Sequence, residues 1–419
     1  MGEGAQDRPA RFRDAFAVGE FRPLWTAYAL SVCGDQLAAV ALSVLVYGRT
    51  GSPAWAALTY ALTFLPDLLG GPLLAGLADL FPRKLVMITA DVSRAVLVGV
   101  MAIPGQPIVA LVVLLFAVQL LSSPFTAARG AVVPAMLTGD RYVAGMTIMR
   151  MTYQLGSVAG FAVGGAVLAA LGTGRALLID ALTFVASALL VLFGVGPHRP
   201  TGTAAQRPSW WATVSGGLRL VSRDRRLRSL IGLACVSGAY VVPEGLAVSY
   251  AAQLHGNPTV VGILMAANPA GMIVGMLVLQ RLRPRLRLTL FGPLAVATCA
   301  ALIPTAWAPG VVVSSVLWFV SGVGSAYNMV TQATFVQQVP DQQRGQALGL
   351  ANTALRVAQG IGIVGAGLLA EVFAPGSVIG VIGAVGVVIA GLAATAWSRV
   401  APPRATVHGA RPATHRDEQ

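Results

Sequence analysis

The chain is poor in charge. Only 11% of its 419 residues are Asp, Glu, Lys or Arg, against about 25% in a soluble domain, which excludes a globular surface built for water. Lysine is nearly absent, Lys84 standing alone beside the arginines. Cysteine is scarce as well. Cys33, Cys235 and Cys299 each sit singly in an apolar segment, without the spacing of a disulfide framework or a metal site, and read as small packing residues. His198, His255, His408 and His415 lie in loops or tails at no metal-ligating spacing. There is no G-x-x-x-x-G-K-[ST] loop, so ATP-driven work by this chain is excluded. There is also no nucleophile elbow and no His/Asp pairing for an enzyme at the membrane surface. The reading is of a protein that is not an enzyme and needs no cofactor or metal.

What is present is apolar length. Hydrophobic residues make up 56% of the chain, and the mean hydropathy is +0.73. A hydrocarbon core takes about twenty residues of helix to cross. On that measure the apolar runs predict spans at roughly 23–47, 54–78, 86–104, 107–128, 143–171, 176–195, 228–252, 259–280, 288–308, 311–333, 346–372 and 377–397. The first twenty residues are polar and hydrophobicity begins near Leu24, which reads as a first span that anchors as well as inserts, without a cleavable leader.

The formal charge of +13 suggests nucleic acid until its distribution is read. Arg22, Arg83, Lys84, Arg141, the stretch from Arg199 to Arg228, Arg281 to Arg287, Arg344 and the tail from Arg399 fall between spans on one side. The other side carries only Arg49 and Arg175. By the positive-inside rule, both termini and the central loop are expected in the cytoplasm, across a cell membrane. A Pro-, Thr- and Arg-rich segment, Gly196–Ser209, divides the spans into two groups of six. The WWATVSGGLRLVSRDRRLRSL that follows has the make-up of an amphipathic helix on an anionic leaflet; a solvated basic loop is the alternative for its second half.

The groups repeat at an offset of about 206 residues. Val133-Pro134, Arg150 and Gly156 return as Val339-Pro340, Arg356 and Gly362, and the GSP of Gly51–Pro53 returns, one residue out of step, as the GNP of Gly256–Pro258. Repeated halves related by an axis along the membrane normal are a transporter layout. The organisation expected is a tail at 1–22, a six-helix bundle at 23–195, a central loop at 196–227, a second bundle at 228–397 and a tail at 398–419.

Two motifs sharpen this. Gly76-Leu-Ala-Asp79-Leu-Phe-Pro82-Arg83-Lys84 resembles the major facilitator superfamily signature G-x-x-x-D-x-x-G-R-[KR], with Leu80 and Pro82 departing from it. Gly156-x-x-x-Gly160-Phe161-x-x-Gly164-Gly165 resembles that family's antiporter motif, with Phe161 in place of proline; glycines so spaced also let helices pack closely whatever the function. FRPLW…GD at Phe21–Asp35, TGSP, PFTAARGAVVP, IDALTF and QQVPDQQRG follow in order. Together they are similar to the macrolide-efflux and enterobactin-exporter branch. The resemblance implies an all-α membrane protein of twelve transmembrane helices in two six-helix bundles, the major facilitator fold. It further implies alternating access and proton-driven export of a small amphipathic molecule; proton-coupled uptake, or export of a siderophore-like metabolite, is the alternative, and a monomer is expected. The loop of Gly76, Asp79, Arg83 and Lys84 would act as a gate.

Charges inside spans are costly and usually face a cavity or a partner. Asp35 and Glu244 map through the repeat to within one helical turn of each other, and are expected to face the central cavity. A carboxylic acid there can take a proton from one side and release it to the other as its hydration changes. Such an acid could instead hold a cation, or be fixed to an arginine. Asp67, beside Pro66, is a third candidate acid. Asp91 and Arg94 are expected to bond to each other or to the gating loop. Arg150 and Arg356 are read as structural charges that snorkel or pair with Asp79 or Asp91, and Asp180 and Glu371 as solvated.

Overall fold

The computed structural model describes residues 12–65, 70, 74, 77–198, 218–340 and 343–400. Asp67, Gly76, the Asp79 side chain and much of the expected amphipathic helix lie outside the described residues. Every regular element among the described residues is helical. The long helices are α1 (Phe21–Thr50), α2 (Pro53–Ala61), α3 (Arg83–Met101), α4 (Ile108–Met136), α5 (Asp140–Leu171) and α6 (Thr173–Gly194). They are followed by α7 (Arg225–Gln253), α8 (Pro258–Arg281), α9 (Leu286–Trp307), α10 (Val311–Gln338), α11 (Arg344–Leu369) and α12 (Pro375–Val400). Ten of these are long and apolar enough to cross a membrane. The exceptions are α2, a helix of nine residues, and α3, which carries Arg83, Lys84, Asp91 and Arg94.

Helix starts explain one of the repeated motifs. Ser52 caps α2, its hydroxyl accepting the Trp55 N–H at 3.2 Å, and Pro53 takes the first helical position. Asn257 caps α8 in the same way, with Pro258 next. Both follow the preference for a short polar cap and then proline. Gly51 closes α1 at φ 66, a conformation glycine enters without steric cost.

Two expected spans differ in form. The seventh, expected over 228–252, is present as α7 but is built from three segments, Arg225–Cys235, Ser237–Tyr240 and Val242–Gln253. Pro243 has no N–H to give to the preceding turn, and the Glu244 N–H bonds to the Val241 carbonyl at 3.1 Å. The fourth was expected to end at 128 but runs to Met136, through Pro124 and Pro134.

Packing repeats as the sequence does. In the first half α1 packs on α5 and α6, and α3 on α4 and α6; in the second half α7 packs on α11 and α12, and α9 on α10 and α12. The starts of α1 and α3 and the end of α6 share one face, through Glu20 against Gly196 and the Arg83 N–H bonded to the His198 carbonyl. Arg226 and the Val400 carbonyl bring the start of α7 and the end of α12 together at 2.9 Å. We call this the terminal face. The halves meet toward the far face, where α5 packs on α8, and α2 packs on α11 and α7.

Glycines make close helix contacts both within the first half and across the far-face seams. Gly156, Gly160 and Gly164 lie against Val32, Cys33 and Leu37 of α1. Gly165 crosses to the other half: a Cβ there would stand 2.7 Å from the Pro258 carbonyl and 2.9 Å from Gly262. On α11, Gly367 faces Ala54 and Ala57 of α2. Gly165→Leu should therefore wedge α5 from α8. Overpacking of this kind costs about 1–3 kcal/mol, which opens the far end about 5- to 150-fold. The check is the rate at which a membrane-impermeant maleimide, added at the far face, modifies Cys33 with Cys235 and Cys299 replaced by alanine. An unchanged rate would show that the contact does not close this end.

Candidate functional site

Two polar networks stand out, one inside the first half and one between the halves. The first begins with helical spacing. Ser31 and Asp35 on α1, Asp91 and Arg94 on α3, and Asp180, Phe184 and Ser187 on α6 lie three or four residues apart, so each set shares a helix face. The three faces converge. Arg94 Nη2 is 2.6 Å from Asp35 Oδ1, and Arg94 Nη1 is 3.7 Å from Asp91 Oδ1. The guanidinium lies 4.0 Å over the Phe184 ring, and the Ser187 hydroxyl donates to Asp91 Oδ2 at 2.5 Å. Arg94 and Asp91 are buried, whereas the Asp35 side chain is 30% exposed.

Asp180 corrects the expectation that it is solvated. It is 1% exposed, with the Thr183 hydroxyl 3.4 Å from Oδ1, and it shares with Asp35 the wall of a cavity of about 10 Å³, room for about one water molecule. The reason is the helix boundary: α6 starts at Thr173, not near 176, so Asp180 lies some ten ångströms along it, roughly two turns in. Gly34 leaves the space, since a Cβ there would stand 2.2 Å from Asp180 Oδ1.

Arg129, which the sequence reading left unassigned, also joins this region. Its guanidinium sits 3.8 Å over the Tyr28 ring. The signal was a lone arginine in the apolar run of α4, hidden because that span was expected to stop one residue earlier.

The second network spans the halves. The Tyr60 hydroxyl of α2 donates to the Glu244 carboxylate of α7. Tyr60 packs edge-on to Phe64 at 5.5 Å, and Arg356 of α11 lies 5.2 Å over the Phe64 ring. Arg356 was expected within a turn or two of the terminal face, snorkelling or paired with Asp79 or Asp91. It is instead about 18 Å into the 26-residue α11, at its middle, against Phe64. Its repeat mate Arg150 is exposed. Asp35 and Glu244 therefore belong to separate networks, the first tied to Arg94 and the second to Tyr60. In the gating loop, Arg83 donates to the Ala131 carbonyl at 3.0 Å, joining α3 to α4, and Lys84 is half-buried. Asp91 and Arg94 bond to each other, as expected. Among the described residues no cluster of His, Cys, Asp and Glu is arranged to hold a metal.

Helices that pair alike in each half, meet at one face and carry charge in their interior define a polytopic membrane protein built to pass something between its halves. The chain matches the Major Facilitator Superfamily over residues 24–340 and 245–417 and belongs to it; it is a transporter of small molecules, not an enzyme. No curated protein sequence matches it. Solved structures share its fold at low identity. A mutant of the nucleoside transporter NupG aligns at 14% identity with a TM-score of 0.72, over 91% of this chain and 100% of its own. A bacterial homolog of the human lysosomal transporter Spinster, inward-facing and unoccupied, aligns at 13% and 0.68, over 92% and 98%. A POT family transporter in complex with a thioalcohol-conjugated peptide aligns at 11% and 0.73, over 91% and 96%.

The charge cluster yields opposite signs for two variants. Arg94→Ala leaves Asp35 and Asp91 without their cation and should destabilise the protein by about 3–5 kcal/mol. Asp180→Asn removes a buried acid that forms no ion pair among the described residues and faces Asp35 across the cavity, and it should leave stability unchanged or higher. Thermal unfolding of the purified proteins in detergent reads both; a loss in Asp180→Asn matching that of Arg94→Ala would refute this account of the charges.

Proposed function

We propose that this protein exports a small amphipathic compound by proton antiport, through alternating access of twelve helices in two six-helix bundles, as a monomer in the cell membrane with both termini cytoplasmic. The recurrence of the same helix pairings supports the two bundles. The basic terminal face supports the orientation, and with it the far face is the outer one, closed here by the seams around Gly165 and Gly367. The resemblance to the macrolide-efflux and enterobactin-exporter branch supports the direction of transport.

The observation that carries the proton assignment is the position of Asp35. It is the partly exposed member of a cluster in which one guanidinium serves it and a buried acid. A proton arriving on Asp35 weakens its pairing with Arg94 and frees that guanidinium for Asp91 and for the side of the cavity where Asp180 lies. That exchange loosens α1 from α3 and couples protonation to the packing of the half. Glu244 would act at the interface, since its bond to Tyr60 must break when α2 and α7 separate. Asp67, and the latch of Gly76 and Asp79 with Arg83 and Lys84, remain part of this reading as a lining acid and a gate on the terminal side. Phe64 and Tyr153, with Glu244 and Arg356, offer a ligand aromatic surface beside charge of both signs, with the buried Tyr60 behind them. That suits a lipophilic drug or secreted natural product better than the nucleosides and peptides named for the structural neighbours.

The test uses energised inverted vesicles and a panel of lipophilic antibiotics and dyes. Wild type should show a substrate-triggered loss of the pH gradient. Asp35→Asn should abolish it and Glu244→Gln should reduce it. An Asp35→Asn response equal to wild type would remove Asp35 from the proton path, and a response only under the opposite gradient would favour uptake by symport.

A further inference from the structure

We propose that Glu371 is a positioning residue of the transport cycle: its carboxylate caps the start of α2 from the opposite half and so holds the far-face gate shut. The inference rests on the alternating-access reading above.

Glu371 stands two residues beyond the end of α11, and was expected to be solvated. It is exposed, but it is not idle. Its Oε1 accepts the Ala54 N–H at 2.9 Å and the Ser52 hydroxyl. Ser52 already caps α2 through the Trp55 N–H, so the cap and the acid form one relay. The first N–H groups of a helix have no partner within it and carry the positive end of its dipole. A carboxylate bonded there makes charge-assisted bonds, stronger than neutral ones. These bonds join residues more than three hundred positions apart, from different halves, and Gly367 packs on Ala54 and Ala57 immediately beside them. Separating α2 from α11 must break them. The nearby basic residue of the far face, Arg49, is engaged with the Gln106 carbonyl at 2.6 Å.

The repeat shows why this acid is set apart. At the offset of about 206, Glu371 corresponds to Gly165, which closes the other far-face seam by contact with the Pro258 and Gly262 backbone. One seam is closed by steric fit without any polar bond from that position. The other is closed by a bond that can be made and broken. Both seams close the far face; of the two, the α2–α11 seam is the one whose closure depends on a bond that can be made and broken.

Spin labels at Ile103→Cys and Trp307→Cys, exposed on the far face of the first and second halves, report the opening in the full chain. The protein is held in nanodiscs with the native cysteines replaced by alanine, and without substrate or gradient. Glu371→Ala should shift the population from the short to the long distance by about tenfold or more. Glu371→Gln, which keeps an acceptor but loses the charge, should fall between. Ser52→Ala, a second route to the same bond, should shift the population in wild type and add little in Glu371→Ala. Unchanged distances in Glu371→Ala and Ser52→Ala would overturn the proposal. The measurement needs no proton movement, so a shift in distance would uphold the gate even if Asp35→Asn vesicles behaved as wild type.

Discussion

One guanidinium in a low-dielectric interior sets the terms for the first half of this protein. Arg94 is buried with Asp91, and it reaches Asp35 at 2.6 Å while Asp180 lies buried across a small cavity. Charges in such a place are held only when paired and hydrogen-bonded. That requirement brings α1, α3 and α6 together, because each contributes one wall of the cluster. It dictates Gly34, whose missing side chain leaves room for Asp180, and it gives Ser187 and Phe184 their tasks against Asp91 and Arg94. More acids than this arginine can serve make the cluster unstable in its charge and not in its packing, which is the property a proton-responsive element needs.

The second half shares the packing and lacks the charges. At the offset of about 206, Asp35, Asp91, Arg94 and Asp180 correspond to Val241, Ala297, Ala300 and Gly386. Gly386 there lies against Cys299 and Ala239, so the equivalent place is filled by close apolar contact. Among the described residues, the acids within the second bundle, Glu244 and Glu371, find their partners across the interface on α2, at Tyr60 and at Ser52 and Ala54. Duplication thus preserved the helix frame while polar function divided: one half keeps its charges inside, and the other reaches out with them.

The frame was legible because apolar length, basic loops and cap residues are local properties. Ser52-Pro53 and Asn257-Pro258 could be read as a repeat and prove to be matching helix starts. The i, i+3 spacing of Asp91 and Arg94 offered their pairing as one of two readings, and the structure shows it. What was missed turned on a few residues of boundary or on contacts far apart in sequence. Three residues at the start of α6 separate a solvated Asp180 from a buried one. An end for α4 at 128 hid Arg129, which the helix carries into the membrane region. The partner of Glu371 lies in the other half of the chain, beyond any periodicity. Pro243 was visible, but the break it makes in α7 depends on how the turn before it closes.

The site of α2 at the centre of these contacts follows from its shape. Its helical start is capped by its own Ser52 and by Glu371, its middle offers Tyr60 to Glu244, and Gly360 and Gly367 of α11 bring that helix within contact of Leu65, Ala57 and Ala54. A helix held along one face by polar bonds from the opposite half has no equivalent bonds to keep when that half moves away. Its own half packs it against α1, whose Asp35 belongs to the Arg94 cluster. Any change in charge at Asp35 is therefore one helix away from the contacts that close the far face. Coupling between the two networks needs no long path: α1 carries the acid on one side and bears α2 on another.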